Sequence, residues 1–271
     1  MVGNVLARKA AAVNPEQSEP SDQPSATSTP ASDGPDRNRA LLGRAATAAY
    51  ATLAVADAWL AGSEGTRAKR VRRFTKPLLM PTLALSALAQ TGQPPATRRL
   101  ALAGLGFGWL GDMALLRPGV PAFAAGAGCF GLGHLAYRSA FRTLPTAPVA
   151  STPVAKGLAG LWLASAPVLS IAAARQEKVL GPAVAGYSGL LCTMAAQAAA
   201  VTAPGPARRD LVAGSLLFVA SDTLLGAFTF LPDSLGPGRP PHPPARAESL
   251  VMASYTAAQF LISRGLRRAA S

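Results

Sequence analysis

Charge is scarce in this chain. Asp, Glu, Lys and Arg make up 14% of its 271 residues, where a soluble domain carries about 25%. Polar surface is therefore too limited to face water on every side. Hydrophobic residues reach 49% and the mean hydropathy is +0.25, despite two polar, proline-rich stretches. The apolar runs are too long and too many for a soluble Ala-rich helical protein. The composition points to an integral membrane protein.

Cysteine and histidine are scarcer still. Cys129 and Cys192 each lie inside an apolar run without a CxxC neighbour, which argues against a disulfide framework and a thiolate metal site. Both read as small packing residues. The histidines are His134 and His242, the latter within 240-PPHPP-244. A catalytic zinc takes three protein ligands, which here would require Asp112, Asp222 and His134 together, so no metal is expected. No GxSxG elbow for a serine hydrolase occurs either.

Negative charge is rarer than positive, and the net charge is +13. The basic residues gather between apolar runs, in 66-TRAKRVRRFTK-76, Arg98-Arg99, Arg208-Arg209 and Arg267-Arg268. No zinc-finger, RNP or helix-turn-helix pattern accompanies them, so nucleic acid is not an expected partner. Basic segments flanking apolar helices are what the positive-inside bias and anionic headgroups favour.

Residues 1–39 read as a disordered polar tail rich in Pro, Ser, Asp and Thr, unable to bury enough apolar surface to order itself. No apolar core follows Arg8 and Lys9, so the start is not read as a signal peptide. Residues 231–247 form a second Pro/Gly-rich stretch, read as an exposed loop. Residues 40–271 hold apolar runs at approximately 41–61, 75–91, 99–116, 120–141, 154–174, 180–202, 210–231 and 247–265. A spanning helix needs about 20 residues, and breaks such as Pro118-Gly119 and Pro204-Gly205-Pro206 fit turns and helix starts. Alternation typical of strands is absent. The expected fold is all-α, a polytopic bundle of about eight transmembrane helices. An even count puts both termini on one side. More of the Lys and Arg fall there than opposite, so cytoplasmic termini in a bacterial plasma membrane are expected.

Two acids stand out against this background. Asp112, in 108-GWLGDMALLRP-118, is the only charge between Leu100 and Leu116, and Asp222, in 217-LFVASDTLLGAF-228, the only one between Leu211 and Leu231. An ionisable group at the bilayer centre costs about 2.5–3.5 kcal/mol on insertion scales, which makes it a functional candidate by default. Alternating helix direction places Asp57, Lys76, Asp112 and Asp222 in the same half of the membrane. Helical spacing puts Phe130, His134 and Tyr137 on one face, Ser215, Phe218 and Asp222 on another, and stacks Tyr255 on Gln259. Plainer readings exist for each. Asp57 and Lys76 would form an interfacial ion pair, His134 would be a satisfied core residue, and the aspartates would tie helices together. Gly126, Gly128, Gly131 and Gly133 read as close helix packing. A pair of carboxyls in apolar surroundings has a stronger option. Burial and a like-charged neighbour both favour keeping one proton, which divides general acid from general base.

The ordered motifs 76-KPLLMP-81, 111-GDMALL-116, 126-GAGCFGLGHLAY-137, 214-GSLLFVASDTLL-225 and 254-SYTAAQFLI-262 resemble the YhhN family of lysoplasmalogenases, over roughly residues 41–266. The resemblance implies an eight-helix membrane hydrolase without metal or organic cofactor. Its substrate would be a lysophospholipid whose vinyl ether bond is cleaved to a fatty aldehyde and a glycerophospho-alcohol, with membrane lipid around it. By the same resemblance Asp112 and Asp222 would be catalytic. Lys76, His134, Tyr137, Tyr255 and Gln259, with Asp57 and Ser221 beside them, would bind substrate. The alternative is a proton-coupled transporter of small solutes or lipids, although the two halves show no internal repeat.

Overall fold

The structure, a computed structural model, describes residues 33–90, 92–231 and 245–270. Within them are eight α-helices: α1 (Asp33–Ala61), α2 (Thr66–Leu88), α3 (Pro95–Leu115), α4 (Val120–Arg142), α5 (Pro153–Gln176), α6 (Leu180–Ala200), α7 (Gly205–Phe230) and α8 (Ala245–Ala270). The described residues include no strand, only an isolated bridge between Thr146 and Val201. The packing described below belongs to the compact unit Pro35–Ser271.

Each expected apolar run coincides with one helix, but two starts differ. Helix α2 begins at Thr66, so the basic cluster 66–76 is helical and not a connecting segment. Arg and Lys are good helix formers, and charge alone does not end a helix. Helix α1 begins at Asp33, ahead of the run expected from 41 and inside the stretch read as tail. The rest of that tail, residues 1–32, and the loop 232–244 with His242 lie outside the described residues.

Three helices, α5, α6 and α7, are long and apolar enough to cross a membrane. The others mix apolar positions with polar and charged ones, which lowers their mean hydropathy. The outer surface carries Trp59 (71% exposed), Phe74 (70%) and Leu163 (67%). Such an apolar exterior over a core that holds Asp57, Asp112 and Lys76 suits lipid, not water. This is a helical membrane protein.

Close approach at glycine sets the packing. A Cβ on Gly104 would stand 2.5 Å from the Tyr137 ring, and one on Gly214 would stand 2.9 Å from the Ile262 backbone nitrogen. Helix α3 therefore lies tight on α4, and α7 on α8, as small residues allow in membranes. Helices α5 and α6 form a third pair, and α4 also packs on α6.

Helix α2 contains Pro77 and Pro81. A proline has no N–H, so Pro81 cannot serve the carbonyl of Pro77 one turn earlier. Trp109 of α3 does so instead, donating from Nε1 at 2.9 Å. Pro81 thus leaves free the acceptor that pins α3 to α2 beside Lys76. At the opposite end of the bundle, Asp210 of α7 accepts two bonds from Arg264 (2.8 and 2.5 Å) and one from Arg268 (2.9 Å) of α8.

Candidate active site

Asp112 and Asp222 line one cavity of about 630 Å³. Asp112 is 2% exposed. Its Oδ1 lies 3.2 Å from Lys76 Nζ, and its Oδ2 accepts from the Tyr255 hydroxyl at 2.8 Å. Behind Tyr255 stands Gln259, whose Nε2 faces the Tyr255 oxygen at 3.4 Å and whose Oε1 accepts from the Tyr137 hydroxyl at 2.5 Å. Four helices thus contribute to one carboxylate: α2 the cation, α8 the phenol and amide, and α4 the anchoring tyrosine, around the acid on α3.

Asp222 has a different company. Its Oδ2 accepts from the Tyr187 hydroxyl of α6, and His134 Nε2 of α4 lies 4.0 Å from the same oxygen. His134 Nε2 is also 3.1 Å from the Tyr187 oxygen. A phenol has one proton to donate. With that proton given to Asp222, the Tyr187 oxygen accepts from His134, which assigns the imidazole hydrogen to Nε2. His134 Nδ1 is then the bare nitrogen, and it is buried without a partner. The row runs His134 to Tyr187 to Asp222, all donors pointing one way.

Phe218 separates the two sets. Its ring meets His134 edge-on at 4.8 Å and Tyr255 at 5.4 Å between centroids, and Phe130 closes on Tyr255 at 5.9 Å. The carboxyls therefore share a cavity and an aromatic wall while each keeps its own hydrogen-bond partners.

The expected site residues divide accordingly. Lys76, Asp112, Ser221, Asp222 and Tyr255 line the cavity, and His134, Tyr137 and Gln259 stand behind that lining and hold it. Ser221 also donates to the Val251 carbonyl of α8 at 3.0 Å. The expected Asp57–Lys76 pair is not formed. Asp57 is fully buried, takes a bond from Thr75 at 2.7 Å and pairs with Arg72 at 3.5 Å. Lys76, one turn further along α2 than Arg72, meets Asp112 instead.

Three lining residues escaped the sequence reading. Tyr187 is a lone tyrosine in an apolar run, the same signal an interfacial anchor gives. Arg72 was hidden in the basic cluster, and Glu248 lies near the start of α8, 3.5 Å from Arg72. Among the described residues no three His, Cys, Asp or Glu side chains come together as a metal site would require.

No curated protein and no solved structure matches the chain. The YhhN family matches residues 71–266, which takes in every cavity-lining residue named above and leaves out α1 with Asp57. That span is shorter than the expected 41–266, and it covers well over half of the chain. The chain belongs to the YhhN family.

Proposed function

We propose that this protein is a lysoplasmalogenase-like membrane hydrolase acting on the vinyl ether bond of a lysophospholipid. Family membership supports a hydrolase of this type. The observation that carries the reading further is the unlike company of two aspartates on one cavity: a cation beside Asp112, uncharged donors beside Asp222.

A vinyl ether resists base and yields to acid. In this reading Asp222 gives a proton from its free Oδ1 to the alkene β-carbon, and the ether oxygen's electrons leave an oxocarbenium ion. Asp112, kept anionic by Lys76 and Tyr255, faces the cation and lowers its energy. Water adds to the cationic carbon and returns a proton to Asp222. The resulting hemiacetal passes its hydroxyl proton to the glycerol oxygen as the C–O bond breaks, releasing aldehyde and alcohol. One water is consumed and both carboxyls end as they began. Lys76 and Arg72, both on the cavity, offer cationic partners for the substrate phosphate.

The test is aldehyde release from a lysoplasmalogen by purified protein in detergent, with EDTA present. Activity in the wild type, lost in both Asp112→Asn and Asp222→Asn with the fold retained, supports the reading. Activity retained in both variants overturns the mechanism. Transport into sealed vesicles without aldehyde release would replace it with the transporter.

A further inference from the structure

The cavity has two unlike parts. Helices α2, α3 and α8 supply Arg72, Lys76, Asp112 and Glu248. The part between α4, α5, α6 and α7 is an apolar arm, walled by such residues as Leu161, Trp162, Leu190 and Leu225. The indole and hydroxyl donors that α5 and α6 place on this arm beside Tyr187 are already spent. Trp162 Nε1 and Ser188 Oγ donate to the Ala185 carbonyl at 3.2 and 3.1 Å, and Ser165 Oγ donates to Leu161 at 2.8 Å. A polar ligand gains little there, whereas a hydrocarbon chain leaves no donor unmatched. Ring contacts join α4 to α7 at two levels, Phe123 with Phe230 on the arm itself and His134 with Phe218 behind the lining. Along α4 the two levels are roughly 17 Å apart at about 1.5 Å per residue.

Two glycines on the arm have no packing reason to be glycine. Gly104 and Gly111 face rings that a Cβ would strike, but a Cβ on Gly128 of α4 or Gly186 of α6 meets no heavy atom within 4 Å. Neither has positive φ, and glycine weakens a helix interior relative to alanine. Both line the cavity. What their bareness leaves is room.

We propose that Gly128 and Gly186 bound a subsite for the substrate's single aliphatic chain and set the chain length the protein accepts. The identity of the chain-bearing ligand rests on the function proposed above; the subsite rests on the arm itself.

The experiment measures binding of lysophospholipids whose vinyl ether is replaced by a saturated ether, in a series of increasing chain length, to purified protein. Each methylene that enters the arm tightens binding about fourfold, the equivalent of about 0.8 kcal/mol, until the arm is full and affinity levels off. Gly128→Leu and Gly186→Leu bring that plateau to shorter chains and leave affinity for the shortest members unchanged. Gly128→Ala moves it the same way by less, a milder change should the leucine variant fail to fold. Gly106→Leu is the control, because Gly106 is equally open but does not line the cavity. A plateau unmoved by folded Gly128 and Gly186 variants, one moved equally by Gly106→Leu, or no binding at any length overturns the inference. A shifted plateau without aldehyde release from the vinyl ether upholds the subsite and sinks the proposed reaction.

Discussion

Lys76 Nζ stands 3.2 Å from Asp112 Oδ1, both groups buried between α2 and α3. Removing one member strands the other charge. Lys76→Met should lower stability by about 3–5 kcal/mol, the usual cost of leaving a buried charge unpaired. Adding Asp112→Asn should recover part of that loss. Thermal unfolding of the single and double variants in detergent measures the coupling, and additive losses would mean that the pair is not an energetic unit.

Tyr187 links His134 to Asp222, so Phe at 187 removes a donor and an acceptor without changing the ring. Turnover should fall about 10- to 100-fold, in proportion to a lost charge-assisted bond of about 1.5–3 kcal/mol. His134→Phe added to Tyr187→Phe should cost nothing further in kcat. A further large drop in the double variant would show that His134 acts by another route.

Trp109→Phe keeps an aromatic ring and removes the indole donor to the Pro77 carbonyl. Trp109 is exposed, so the expected loss is no more than about 0.5–1.5 kcal/mol. Turnover should decline as well, since the bond positions α2 against Asp112. Replacing Pro81 with Ala in the same variant restores a backbone N–H at that turn and should recover stability.

Asp210→Asn breaks the clamp with Arg264 and Arg268 far from the cavity. The arginines are partly exposed, so the cost is set at about 1–3 kcal/mol. The melting temperature should drop while kcat at low temperature stays at the wild-type value.

The expected placement of both termini on the cytoplasmic side makes a labelling prediction. In a background with both native cysteines replaced by Ala, Glu64→Cys and Glu177→Cys should react with an impermeant thiol reagent added outside intact cells. Thr202→Cys should react only after lysis. The reverse pattern would invert the orientation.

The bundle was legible because a bilayer imposes length, and eight long apolar runs reveal that length however noisy their ends. The start of α2 was not, because Arg and Lys serve equally in a helix and in a basic loop. Level along the bundle was partly legible: alternating helix direction set Lys76 and Asp112 at a similar level, and the two do meet. Azimuth was not. Which way Lys76 turns depends on how α2 is rotated against α1 and α3, and the Trp109–Pro77 bond that marks that rotation joins residues 32 positions apart. Tyr187 was invisible for a related reason, since its meaning comes from Asp222 and His134 on two other helices.

The contact between Gly104 and Tyr137 reaches further than helix packing. Gly104 lies two turns from Asp112, roughly 12 Å along α3 at about 1.5 Å per residue. One hydrogen in place of a methyl group decides how near the helix comes to that ring. The ring's hydroxyl holds Gln259, and Gln259 faces Tyr255, the phenol that reaches the acid. The acid's address is thus written partly as a blank: the smallest side chain on α3 acts as a gauge block for its buried carboxylate.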